Sequence, residues 1–389
     1  MAVLTGLEVF LREEASRHKG KALGLLANQA SVGPDFRHAL DLLDEATDGA
    51  VKTIFGPQHG YRGEKQDNMV ESPHSKLKDG RPVYSLYAEK RAPEPRMFEG
   101  LDAVLVDLQD VGTRVYTFAH TLSLFMERAA RAGLPVIVLD RPNPVGGKET
   151  EGNLLDPSFS SFVGLHPIPM RHGFTMGELA LFANSRLEKP CSLTVVPCRD
   201  LERDWHFGET GLPWVAPSPN MPSPETALAY PGTVIFEGTG LSEGRGTTEP
   251  FLVVGAPYVD PDEFARALRD MKLPGVAFRE CFFLPNFQKW AGSVCGGAEI
   301  RVTDKKSFKP WLTGLSILET ILRTRPDDFE LKAPPYEYEL ERRPIDLILG
   351  NGEIFDKLRA GTSAKEIAEG FEKDLEIFSK TRKDFLLYR

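Results

Sequence analysis

A chain of 389 residues, 41% hydrophobic and 26% charged, has the composition of a folded globular protein, and its length favours two domains over one. Its 47 basic and 56 acidic side chains leave a formal charge of −9, with no basic tract long enough to hold a nucleic-acid backbone. Four scattered cysteines, Cys191, Cys198, Cys281 and Cys295, form no CxxC pair, which speaks against both a disulfide framework and a structural zinc site.

The first stretch, MAVLTGLEVFLREEASRHKG, interrupts its apolar residues with charges at helical spacing. It has no basic start, apolar core or small-residue cleavage site, so a cytoplasmic location is expected. No run reaches membrane-spanning length, so no membrane partner is expected either. Short apolar runs predict strands at 21–28, 51–55, 82–86, 103–108, 136–139 and 193–196. Amphipathic stretches between them predict helices at 36–45, 116–132 and 175–186. The near-continuous Val, Ile and Leu of AVLVDL and PVIVLD fits strands buried on both faces, as in a parallel sheet. Interleaved strands and helices give an α/β, doubly wound, Rossmann-like class, in which ligands bind at the carboxyl ends of the strands. From 204 to 250 the chain is rich in Pro and Gly, and its dense prolines argue against a long helix or central strand. Beyond it, strands are expected at 251–254, 276–283 and 298–303, helices at 264–271 and 311–323, and a helical end from Ile345 onward.

Four polar clusters hold the candidate chemistry, three of them beginning where an early strand stops. After 51–55 comes GPQHGYRGEKQDN, with Gln58, His59, Arg62 and Glu64. After 103–108 comes QDVGTRVYT, where Asp107 ends the strand and Gln109, Asp110 and Arg114 follow. After 136–139 comes DRPNPVGG, with Asp140, Arg141 and Asn143. Later, VIFEGTGLSEGRGTTEPF carries Glu237, Ser242, Glu243 and Arg245 among its glycines. Any one cluster reads equally well as turn chemistry, with Gly and Pro bending the chain, Asp capping helices and Arg pairing with carboxylates. Three at successive strand ends favour one shared site.

Carboxylates set among arginines and amides suit hydrolysis of a polar, anionic ligand. Glycoside cleavage needs two carboxyl groups, or one plus an assisting substrate group. Glu64, Asp110 and Glu237 are the candidates for catalysis, expected to line one cleft. Gln58, His59, Arg62, Arg114, Asp140, Arg141, Asn143, Glu243 and Arg245 are the candidates for substrate binding, with the arginines suited to fork onto a carboxylate or phosphate. Asp107, Asp110, Asp140 and His59 include metal-ligating types, but their arginine neighbours compete with a cation, so no metal is expected. GxGxxG, Walker and HExxH motifs are absent, and no cofactor is expected.

FGPQHGYRGE, VDLQDVGTRVYTF, VLDRPNP, FVGLHPIPMRHGFTMGELA, PSPNMPS, FEGTGLSEGRGTTEPF, LPGVAFR, CGGAEIRVTD and RKDFLLYR follow one another along nearly the whole chain. In these stretches the sequence resembles the NamZ (YbbC-like) family, linked to exo-β-N-acetylmuramidase activity. The resemblance implies a Rossmann-like N-terminal domain and a smaller α/β C-terminal domain with a cleft between them, placed at 1–250 and 251–389. It also implies release of N-acetylmuramic acid from the non-reducing end of peptidoglycan fragments, in the manner of cell-wall recycling. The lactyl carboxylate of that sugar would give the arginines a purpose. Where this chain has Gln58, many family members show Glu in a GPEHG-like loop, and an amide cannot do the proton transfer of a carboxyl. Glu64 could substitute, or Asp110 or Glu237 could carry the chemistry with Gln58 binding substrate. The alternatives are a non-catalytic binder of cell-wall sugars and a hydrolase of another anionic sugar derivative.

Overall fold

The computed structural model describes residues 2–67 and 69–389. Its first half is built on β1 (Leu23–Ala27), β2 (Val51–Gly56), β3 (Ser75–Lys76), β4 (Pro82–Ser85), β5 (Ala103–Asp107) and β6 (Val136–Leu139). A ribbon of β7 (Glu151–Leu154) and β8 (Pro169–Arg171) follows, then β9 (Leu193–Val196). The large sheet runs β3-β4-β2-β1-β5-β6-β9, and every neighbouring pair is parallel except β3 with β4. Leaving β3 aside, the chain winds outward from β1 through β2 to β4, then returns beside β1 and winds the other way. This is the strand order of a doubly wound Rossmann-like sheet, whose crevice opens where the order reverses, at the ends of β1 and β5.

Alternation along β1 explains the layers. Leu23, Leu25 and Ala27 face α1 (Gly6–Glu13) and α2 (Ala39–Thr47), packing with Leu7, Phe10, Leu40 and Leu43. Leu26 faces the opposite side with Val104, Val106, Phe118 and Phe125, where α3 (Phe118–Ala132) lies; α4 (Met176–Asn184) lies against α3, β6 and β9. Thr5 caps α1 in a reciprocal box with Glu8. That helix was not among the predicted elements, and neither were β3, β7 and β8.

The segment predicted to be irregular contains a helix, α5 (Pro224–Thr233). Pro224 stands in its first turn behind the Ser223 cap, where a missing N–H costs nothing, and Pro231 falls in its last turn. Pro224 thus fits the helix start, whereas Pro231 forgoes the bond that an N–H there would make to the Ala227 carbonyl. Beyond it, β10 (Val253–Ala256), β11 (Val276–Phe283) and β12 (Cys295–Val302) make an antiparallel sheet in the order β10-β12-β11. It is covered by α6 (Pro261–Asp270), and α7 (Pro310–Thr324) packs against α6 and α5. Helices α5 and α7 cross at Gly232 and Gly314, where a Cβ on Gly232 would lie 1.9 Å from the Pro310 carbonyl oxygen. The chain ends in α8 (Pro344–Leu349), α9 (Ile354–Arg359), α10 (Ala364–Glu369) and α11 (Glu372–Thr381). Among the described residues no helix is long and apolar enough to cross a membrane.

The two sheets share one apolar cluster, from Leu26 and Val106 to Ile300 and Ile348. Polar anchors tie the late chain to the early sheet. The buried Arg114 guanidinium donates to the carbonyls of Asn153, Ile168, Ile348 and Leu349. Tyr388, next to last in the chain, donates to Asp140 at 2.5 Å. Replacing Arg114 by Ala leaves four buried carbonyls without that donor, each worth roughly 1–3 kcal/mol when unsatisfied. We expect Arg114→Ala to lower unfolding free energy by at least about 3 kcal/mol in urea titration. A loss under about 1 kcal/mol would show that the clamp is dispensable.

Candidate active site

The Pro-rich segment is fastened across the crevice by side chains at the end of β1. Asn28 donates to the Pro217 carbonyl at 2.8 Å, and Gln29 to those of Ala216 and Pro217 at 3.0 Å. Asn220 donates to the Gln66 carbonyl at 3.0 Å, joining the same segment to the loop after β2. Under this strap lies a small pocket of ≈ 40 Å³. Gln58 and His59 line it from the end of β2, and Tyr116 and Thr117 from the end of β5. Ser218, Asn220 and Met221 come from the strap, Tyr230 from α5, and Glu237, Arg245 and Phe251 from the glycine-rich stretch. Tyr336 and Glu337 complete it from a turn before α8.

Buried ions at one wall are matched in pairs. Arg245 bonds Glu237 at 2.5 Å and Glu243 at 3.1 Å, and its guanidinium lies 4.9 Å from the centre of the Phe251 ring. Lys289 bonds Glu243 at 2.7 Å and spends its other protons on the carbonyls of Phe236 and Leu241. Burial works to raise the Glu243 carboxyl, but Lys289 and Arg245 outweigh it and hold the group down at about 2. Glu243 is thereby an anchor for Arg245. Tyr336 donates to the other oxygen of Glu237 at 2.7 Å.

A second carboxyl of the pocket lies in a different setting. Glu337 accepts from Tyr87 at 2.6 Å and from the Gln58 amide at 3.1 Å. The Gln58 carbonyl oxygen is in turn occupied by the Thr117 hydroxyl at 2.6 Å. Thr117 stands at the N-cap of α3 with helical backbone angles and makes no cap bond, while its hydroxyl proton goes to Gln58. Burial pushes the Glu337 carboxyl above its ordinary value against its two donors, and nearby Glu237 adds to the rise. His59, with φ of 72°, places Nδ1 2.8 Å from the Lys65 carbonyl. Burial lowers its pKa to about 4, so the ring is neutral near pH 7. The carbonyl can only accept, so Nδ1 carries the proton and Nε2 is left as an acceptor.

Two profiles, described as "Exo-beta-N-acetylmuramidase NamZ, N-terminal" and "C-terminal", match residues 23–225 and 228–388. The chain belongs to the NamZ family. It is 43% identical over 386 residues to "Peptidoglycan beta-N-acetylmuramidase NamZ" of Bacillus subtilis (strain 168), covering 99% of this chain and 91% of that protein. Two solved DUF1343 family proteins of Bacteroides fragilis NCTC 9343 share the fold. One has a TM-score of 0.90 at 31% identity, the other 0.79 at 29%, each covering 100% of this chain and 99% of its own.

Against this NamZ frame the expected site residues divide. Gln58, His59, Glu237 and Arg245 line the pocket, and Glu243 stands behind Arg245. The expectation that Glu64, Asp110 and Glu237 share one cleft is not met. Glu64 is exposed, caps the Arg62 N–H at 3.1 Å and lines a separate hollow beside β3 and β4. Asp110 is buried, accepting from the Gly112 N–H at 2.6 Å with His172 at 3.4 Å. Arg62 is exposed and lines the hollow of Glu64. Four others hold loops: Arg114 is the carbonyl clamp, and Arg141 forks onto Asp107 at 2.5 and 2.8 Å. Asp140 accepts from Tyr388, Thr175 and the N–H groups of Gly177 and Arg141, and burial raises it to about 6. Asn143 bonds the Phe174 carbonyl and the Val145 N–H. Parallel-sheet ends concentrate unmatched backbone groups, so they attract such side chains with or without a ligand.

Tyr116, Thr117, Ser218, Asn220, Tyr230, Tyr336 and Glu337 were not picked out by the sequence. PSPNMPS was visible as a dense turn run, but YEYEL has no motif that assigns Glu337 to a site. We expect nitrogen-detected NMR, assigned with a His59→Gln variant, to show His59 as the neutral Nδ1–H tautomer from pH 8 to about 5. An imidazolium at pH 6 would contradict its burial.

Proposed function

We propose that this protein is an exo-β-N-acetylmuramidase, a glycosidase that releases N-acetylmuramic acid from the non-reducing end of peptidoglycan fragments. The observation that carries this reading is a pocket faced by two buried glutamates, Glu237 and Glu337, in a chain 43% identical to a peptidoglycan β-N-acetylmuramidase. Glycoside hydrolysis uses two carboxyls in distinct environments. Glu237 is ion-paired with Arg245, whereas Glu337 accepts from the neutral side chains of Tyr87 and Gln58. The tyrosines supply faces and hydroxyls for a pyranose ring, and His59 Nε2 can accept a sugar hydroxyl. Arg245 is the cation lining the pocket, and among the described residues its Nε has no hydrogen-bond partner. It is the group we assign to the lactyl carboxylate, whose approach the overall charge of −9 opposes. Release of this sugar from the end of a fragment belongs, on this reading, to the breakdown and recycling of cell-wall sugars.

A chromogenic β-glycoside of N-acetylmuramic acid, set beside its N-acetylglucosamine counterpart, tests the reading. The wild type should cleave the former with clear preference. Glu237→Gln should lower its turnover by roughly 10²–10⁴, the usual weight of a catalytic carboxyl. Glu64→Gln should leave turnover unchanged. For Arg245→Met, inhibition by free N-acetylmuramic acid should weaken far more than inhibition by free N-acetylglucosamine, because only the former carries the carboxylate. Equal cleavage of both glycosides, or none by a folded wild type, would remove the muramidase reading.

A further inference from the structure

We propose that Glu337 is the proton donor of this pocket, with Gln58 and Tyr87 as positioning residues that hold its carboxyl toward the glycosidic oxygen. The proposal rests on the glycosidase reading above and assigns its acid. Tyr336 and Glu339 exchange two backbone hydrogen bonds at 2.9 Å, so Glu337 and Tyr338 are the central pair of a two-residue turn. Both have positive φ, 44° and 71°, the requirement of a turn that ordinarily takes Asn-Gly or Gly-Gly. Side chains in that conformation are strained, and such strain persists where the surroundings over-determine it, commonly at functional sites. Here the surroundings do so. Tyr338 lies 3.2 Å, centre to guanidinium carbon, from Arg91, which also stacks on Tyr87. Tyr87 and Gln58 then grip the Glu337 carboxyl itself.

The grip determines where a proton can go. The Gln58 carbonyl is committed to Thr117, so the amide is a donor to Glu337 and takes nothing from it. Among charged and titratable neighbours, Glu237 and burial favour the protonated acid, while Arg91, Tyr87 and Gln58 oppose; Tyr230 and Tyr336 are hydroxyls whose own ionisation burial suppresses. Burial is the largest of these effects. Glu237, held by Arg245, is the opposite member of the pair. In the step, the C1–O bond breaks and its electron pair stays on the leaving oxygen, which takes the Glu337 proton. Water supplies the hydroxyl that ends on C1, and its remaining proton restores the Glu337 carboxyl.

The test uses the full chain and three β-glycosides of N-acetylmuramic acid: the disaccharide with N-acetylglucosamine, the 4-nitrophenyl and the 2,4-dinitrophenyl glycoside. A dinitrophenolate leaves without protonation, whereas a sugar alkoxide does not. Glu337→Gln should therefore lower kcat/KM on the disaccharide by roughly 10²–10⁴ and leave the dinitrophenyl glycoside near wild type. The alkaline limb of the pH profile should vanish with it. Tyr87→Phe removes a donor that favours the carboxylate and holds it in place, so it should move that limb to higher pH and lower kcat on the disaccharide. Equal loss on all three substrates, or none on the disaccharide, overturns the assignment of Glu337 in an active enzyme. An unmoved limb in Tyr87→Phe overturns the positioning role. A wild type that cleaves none of the three overturns the glycosidase reading, and this inference with it.

Discussion

The buried ion pair of Glu237 with Arg245 is the constraint around which this site is organised. An isolated charge removed from water costs far more than a fold can spare, and even a matched pair must recover its desolvation through geometry and further hydrogen bonds. The protein meets this demand with a second pair behind the first: Glu243 shares Arg245 and is itself held by Lys289. Those four groups come from the end of α5, the glycine-rich stretch and the hairpin between β11 and β12. Their matching brings these segments together at the end of the first sheet. Arg245 thereby sets Glu237 apart from the pocket's other glutamate, Glu337, which bonds a phenol and an amide.

That distinction is created by surroundings rather than by residue type. Glu237 and Glu337 are the same amino acid in the same pocket, one facing a guanidinium and the other a phenol and an amide. Gln58 has its part in this. A carboxyl at that position would set a second acid against Glu337, where the amide instead donates to it and passes the register of the turn on to Thr117 and α3. The strap of residues 216–221 completes the enclosure, because Asn28 and Gln29 at the end of β1 bind its carbonyls directly over the point where the strand order reverses. Tight enclosure is also what desolvates Glu337 and His59.

Much of this architecture is legible in the residues. Val, Ile and Leu runs separated by amphipathic stretches determine a parallel α/β sheet, because a strand covered on both faces cannot alternate with polar groups. The polar clusters at the ends of β2, β5 and β6 were equally visible, and the long motifs place the chain in its family. What the local sequence leaves open is which of these polar groups the pocket receives. Asp140, Arg141, Asn143 and Arg114 have the same chemistry as ligand-binding residues, yet each is spent on a backbone or side-chain partner from a distant part of the chain. Their partners, among them Tyr388, Asp107, Phe174 and Leu349, are known only once the chain has closed. Glu337 shows the converse. In YEYEL it is one acidic residue among several, and only the turn at Tyr336–Glu339, 279 residues beyond Gln58, carries it to the end of β2. The sequence by itself determined the sheet, its strand-end loops and the family. Tertiary structure decided which carboxyls share the pocket, because burial and long-range pairing, set by contacts between remote segments, assign a charge its role.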